Sequence, residues 1–281
     1  MILLSLAALV LLGSSVAATR LLDLDRPSAV VLVTGLVVAA QMQASVLISG
    51  VVLGALAPGW LLVVQVLVSL LVLGLAALHA GIDHLPIPGR SSARSGHPAL
   101  GAFAVGGASS IEEVPATVPL RVGVVRACRA HPFHLAAFGA VGLLYLWHVG
   151  LAVALAVLDY DGLALHGTAI AHWVTSGSFG ASGLSPMVDA APLGPAATSA
   201  WVATFTSDLS WVFLTQLGFT VVAMAAVWDL AERFGAHRWD ALLGATVFAG
   251  MPVVALQATS GYPDLAAASC VVAAWALWAG V

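Results

Sequence analysis

An all-α, polytopic membrane fold is predicted by three observations: composition, run length and the placement of arginine. Of 281 residues, 61% are hydrophobic and 8% charged, with a mean hydropathy of +1.04, whereas a water-soluble domain carries about 25% charged residues. Apolar runs near the ~20 residues that span bilayer hydrocarbon recur along the chain, and backbone polar groups in hydrocarbon must pair internally, so the runs are helices. They lack the alternation of a membrane β-barrel.

Seven spans are read in order, at 1–19, 29–52, 60–79, 135–158, 211–228, 241–258 and 265–281. The first ends in Ala17-Ala18-Thr19, which looks like a signal-cleavage site, but no basic segment precedes it and it is read as a retained helix. All nine basic residues are arginines, and each falls in an odd-numbered connection: Arg20 and Arg26, then Arg90, Arg94, Arg121, Arg126 and Arg129, then Arg233 and Arg238. The positive-inside rule therefore puts the odd connections in the cytoplasm and the N-terminus outside, in a multi-pass protein of the cell membrane. Cys128 and Cys270 then face opposite sides, which argues against a disulfide, and they fit no metal-binding spacing. A formal charge of −4 without any basic, aromatic-interleaved cluster argues against nucleic acid as a partner.

Two connections are long. Residues 80–134, rich in Gly, Pro, Ser and Arg, read as a mobile cytoplasmic connector, with an amphipathic surface segment near Val118–Arg129 as the alternative. Residues 159–210 are extracytoplasmic and long enough for a helix or two. The chain thus divides into 1–134, three spans and the arginine-bearing loop, and 135–281, a second helical unit that is expected to continue past the last span. No internal repeat is present.

Candidate chemistry lies outside. The even connections hold five carboxylates, Asp159, Asp161, Asp189, Asp208 and Asp264, with His166 and His172. Asp159 and Asp161 follow span four, Asp208 precedes span five and Asp264 precedes span seven, so three helix junctions present acids to one face. Each acid has a plainer account: Asp161 precedes a helix-like stretch over 163–175, Asp208 precedes a span, and Asp264 follows Pro263, so all three suit helix N-termini. His166 and His172, six residues apart, would diverge by about 120° on one helix and cannot form an i, i+4 clamp. Asp161, His166 and Asp264 together could ligate a divalent cation if the connections fold together. Trp173 and Trp201 read as interfacial belt aromatics, with sugar stacking as the alternative.

At these residues the sequence resembles the GT-C superfamily of membrane glycosyltransferases, in particular the bacterial group related to protein mannosyltransferases and the lipid A aminoarabinose transferase. The matching text runs in order: Tyr160-Asp161-Gly162-Leu163-Ala164-Leu165-His166, Ala171-His172-Trp173 with Gly177, Pro192 and Gly194, Ser207-Asp208 with Gln216, Leu230–Ala236, and then Pro252, Leu256–Ser260 and Asp264-Leu265. The likeness covers about residues 159–281. It implies transfer of a sugar from a polyprenyl-phosphate donor to a hydroxyl of a glycan, lipid or protein on the outer face. Asp161 would be the general base, Asp159 its understudy, and His166, His172, Asp208, Gln257 and Asp264 would bind substrate. Ala169 and Ala196 stand where the family's pattern has a basic and an acidic residue. The outer connections hold no Arg or Lys, so a cation for the donor phosphate must come from His166, His172, a metal or further sequence. A transporter or flippase and a non-catalytic scaffold are the alternatives; the first would need polar groups along a path across the bilayer.

Overall fold

The computed structural model describes residues 2–83, 131–155, 162–190 and 193–279, which are helical with no strand among them. In chain order the helices are α1 (Ile2–Leu21), α2 (Pro27–Leu47, prolonged by a π-helical turn, Ile48–Val52), α3 (Pro58–Asp83), α4 (Pro132–Ala154), α5 (Thr168–Ser176, preceded by a π turn, Gly162–Gly167), α6 (Pro186–Asp189), α7 (Leu193–Thr206), α8 (Phe213–Arg233, preceded by the 3-10 turn Leu209–Trp211), α9 (Arg238–Gly250), α10 (Pro252–Gln257) and α11 (Asp264–Trp278). Five helical stretches, Ile2–Leu21, Pro27–Val52, Pro58–Ala80, Pro132–Ala154 and Leu209–Arg233, are long and apolar enough to cross a membrane. Proline opens α2 and α4 in their first turn, where its missing N–H would have no helical partner in any case. Most of the 80–134 connection, Cys128 included, lies outside the described residues.

The sixth and seventh spans differ from the sequence reading. The run 241–258 is broken between α9 and α10, because Met251 precedes Pro252 and adopts the extended conformation a pre-proline residue prefers (φ −61°, ψ 132°). The last helix has 15 residues, about 22 Å, short of the ~30 Å hydrocarbon core.

Helix α8 is the hub, packed on α2, α9 and α11, while α1 packs on α2 and α3, and α4 on α9. The connection between α1 and α2 and the one after α8, both with arginine, meet at one end. There Asp229 of α8, fully buried, accepts from Ser28 Oγ at 3.1 Å and from Arg233 Nε at 2.6 Å, with Arg26 Nη1 at 3.9 Å. Ser28 also lies 2.7 Å from Glu232 Oε2. His134 meets Asp240 at 3.1 Å, and His131 stacks on Trp239 at 4.8 Å, which joins the start of α4 to the same end.

Within the bundle α1, α2 and α3 share a buried polar network. Gln41 donates to Ser15 Oγ (3.0 Å) and accepts from Ser14 (3.2 Å), Gln65 (3.2 Å) and Ser69 (2.7 Å). Gln65 accepts from Ser45 (2.9 Å) and from the indole N–H of Trp201 on α7 (3.2 Å). Uncharged polar groups can lie in hydrocarbon when they satisfy one another. The network fastens a helix of the 159–210 connection to the three N-terminal spans.

Candidate functional site

The 159–210 connection folds onto the bundle. The helix-like stretch read at 163–175 is present as the π turn and α5, and α5 ends on Gly177 in the left-handed conformation (φ +72°) that glycine adopts without strain. Beyond it the Leu56 N–H donates to Gly177 O (2.6 Å) and the Phe179 N–H to Gly50 O (3.1 Å). At Gly50 an added Cβ would sit 2.5 Å from Phe179 Cβ, so glycine is required for this approach. Trp173 and Trp201 are both buried rather than interfacial: Trp173 donates to Gly180 O at 2.6 Å and packs on Phe179, and Trp201 donates to Gln65. Their faces are filled by protein, which removes them from both the membrane belt and sugar stacking. Helix α7 is buried almost throughout, among α1, α2, α3, α5 and α8. Its buried polar side chains are satisfied, Thr198 and Thr204 donating to carbonyls of the same helix and Ser199 lying 3.0 Å from the Thr215 hydroxyl of α8.

Asp159 and Asp161 lie outside the described residues. His166 is buried on the π turn and His172 is half-buried on α5, so the two histidines differ in environment. Asp208 caps the turn before α8, accepting from the N–H and hydroxyl of Ser210 at 2.8 and 2.7 Å; the amide first and the hydroxyl second hold its carboxyl below the ordinary aspartate range. Asp189 closes a loop by accepting from the hydroxyl of Ser182 (2.7 Å) and the N–H groups of Ser182 and Gly183. Those bonds, the Ser182 hydroxyl foremost and His172 a minor aid, lower its pKa. A depressed folded-state pKa means that the stabilisation is present above the ordinary aspartate pKa and lost as pH falls through the lowered value. Amide exchange at Ser182 and Gly183 is therefore expected to stay protected below the pH at which a free aspartate is half-protonated, and to accelerate in Asp189→Ala wherever Asp189 is ionised in the original protein. Equal exchange in the two proteins would remove Asp189 from this role.

Asp264 is placed differently. It is the first residue of α11, exposed, with Gln257 Nε2 at 3.5 Å. It lines a cavity of about 310 Å³ together with Gln43 of α2, Gly194 and Pro195 of α7, Phe219 of α8 and Cys270. Gln43, toward the end of α2 away from Arg26, was not singled out in the sequence because a lone glutamine in an apolar run carries no pattern. Gly194 and Asp264 belong to two blocks of the GT-C resemblance 70 residues apart, and the fold brings them to one cavity. Neither Asp208, His166 nor His172 is among the residues lining it. No group of three His, Cys, Asp or Glu placed to hold a metal is found among the described residues. His166 and Asp264 do not share this cavity, so no chemical step is routed through a metal below. Comparison with known proteins gives no match to a family model, a curated protein or a solved structure.

Proposed function

We propose that the chain is part of the core of a membrane glycosyltransferase of GT-C type, with about seven membrane passes, that moves a sugar from a polyprenyl-phosphate donor to an acceptor hydroxyl on the face opposite the arginines. The observation that carries this reading is the convergence of Gly194 with Asp264 on one cavity at the ends of α7 and α11, supported by the order of the matching blocks over 159–281. Asp161, at the start of the same connection, is the general base: its carboxylate takes the acceptor proton as the hydroxyl oxygen attacks the anomeric carbon, and the carbon–phosphate oxygen bond breaks with inversion. The leaving phosphate is a weak base and needs cationic stabilisation more than a proton. His172, half-exposed on α5, is available to supply it when protonated.

The test uses the full chain in liposomes with polyprenyl-phosphate hexose or pentose labelled in the sugar. Release of free polyprenyl phosphate with loss of label from the lipid is expected, and Asp161→Asn should reduce it by about 10²–10⁴-fold, the usual span of general-base catalysis, with helical content unchanged. A turning-over Asp161→Asn protein removes Asp161 from the base role; absence of turnover by the unmodified chain with every such donor overturns the activity. The second reading, a non-catalytic scaffold, is favoured by Asp208 and Asp189, whose acceptors are engaged in capping and loop closure.

A further inference from the structure

Helix α4 touches the rest of the bundle at two levels. Away from the arginine-bearing end, Tyr145 Oη donates to Ala249 O at 3.0 Å, and a Cβ on Gly250 would meet Val141 at 3.1 Å. At the arginine-bearing end, His134 pairs with Asp240 and His131 stacks on Trp239. Between these contacts the helices stand apart, leaving a groove of about 420 Å³ whose walls include Phe138 and Gly142 of α4, Thr220 and Met224 of α8, and Leu242 and Thr246 of α9. Tyr145 and Leu217, which line it, also pack against the cluster of Val254, Ala258 and Leu265. Its lining on α4 runs from Phe138 to Tyr145, about 10 Å of helix, within the ~15 Å hydrocarbon depth of one leaflet.

Helical register identifies what lies beneath the groove. Counting back one turn along each wall, Phe138 leads to His134, Met224 leads forward to Trp228, and Leu242 leads back to Arg238; each step is four residues on one helix face. The three wall stripes therefore run into a histidine, a tryptophan and an arginine. The guanidinium of Arg238 lies 5.9 Å from the Trp228 ring centroid, and no carboxylate partners Arg238 among the described residues. Three acids near this end are engaged elsewhere: Asp229 with Arg233, Glu232 with Ser28, and Asp240 with His134. The Trp228 indole N–H is buried and has no acceptor among the described residues. An apolar slot within one leaflet's depth thus lies one helical turn from a cation with no carboxylate partner, and an indole N–H with no acceptor, among the described residues. Charge and length together fit one kind of occupant.

We propose that this groove binds an anionic phospholipid of the leaflet on the arginine-bearing side, one acyl chain lying between α4 and the α8–α9 pair and the phosphodiester meeting Arg238 and the Trp228 N–H. A zwitterionic lipid satisfies the slot equally but gains less from the cation. The phosphodiester oxygen accepts the indole hydrogen for which the described residues offer no acceptor.

The experiment is native mass spectrometry of the full chain, delipidated in non-ionic detergent and titrated with dioleoylphosphatidylglycerol or dioleoylphosphatidylcholine. One bound phosphatidylglycerol is expected, preferred by about fivefold, the equivalent of the ~1 kcal/mol an arginine gains near anionic lipid. Arg238→Gln should abolish the preference while leaving phosphatidylcholine binding within twofold. Gly142→Leu tests the slot itself: a Cβ on Gly142 meets nothing within 4 Å, so the side chain fills the groove without disturbing the fold, and both lipids should be lost at unchanged thermal stability. Equal retention of phosphatidylglycerol by Gly142→Leu, a preference that survives Arg238→Gln, or a dimer whose second copy occupies the groove in place of lipid would each overturn the proposal.

Discussion

Asp229→Leu is expected to lower stability by ~3–5 kcal/mol, the usual consequence of leaving one half of a buried ion pair without the other. The Asp229 carboxylate is fully buried and accepts from Arg233 Nε at 2.6 Å and Ser28 Oγ at 3.1 Å, so it joins α8 to the start of α2. Leucine fills a similar volume but strands the Arg233 guanidinium, whose side chain is 17% exposed. The double variant Asp229→Leu/Arg233→Leu removes both charges and should recover much of the loss, because a buried pair owes little net stability to its own attraction once desolvation is subtracted. Thermal unfolding in detergent measures both. A double variant as unstable as the single one, or a single variant within ~1 kcal/mol of the original, would show that the pair does not hold this end of the bundle.

Asp229 also marks a boundary of what the sequence discloses. Its spacing to Arg233 is visible as an i, i+4 pair, but the partners that give it weight, Ser28 and Arg26, lie about 200 residues earlier and are joined to it by tertiary packing. The five membrane-length helices were legible because length and hydropathy are local properties. So was the meeting of the first and fifth connections, which an even number of helical passes between them returns to one end. The break at Met251-Pro252 was equally local and was passed over because hydropathy averages across a proline that backbone geometry cannot ignore. Helix α7 was hidden for a different reason: at 14 residues it is too short to read as a span, and its three threonines and one serine resemble loop composition, yet enclosure by neighbouring helices is what makes it a helix. Among the candidate site residues, Asp208 took the plainer of its two accounts, as a cap, while Asp264 lines a cavity with a residue of another block. Nothing local separates those two aspartates, because each precedes an apolar helix and only the neighbours differ.

The glutamine network carries the last expectation. Gln41→Leu removes four hydrogen bonds, to Ser14, Ser15, Gln65 and Ser69, and at the ~0.6 kcal/mol typical of bonds between membrane helices should cost ~2 kcal/mol. Gln65→Leu also removes four, to Ser45, Gln41, Ser69 and Trp201. The two share the Gln65–Gln41 bond and Ser69, so the double variant should fall short of the sum by more than the ~0.3–0.5 kcal/mol that independent sites show. Gln65→Leu has a second consequence that Gln41→Leu lacks. It releases the Trp201 indole, and with it the tether between α3 and α7, the helix whose Gly194 and Pro195 wall the cavity at Asp264. Cys270 is an exposed thiol on that same cavity, and in a Cys128→Ser background its alkylation by a bulky maleimide should accelerate in Gln65→Leu and stay near the original rate in Gln41→Leu. Equal rates in both variants would mean that the network stabilises the three N-terminal helices without shaping the cavity; a selective rise would make those helices part of how the cavity at Asp264 is held open.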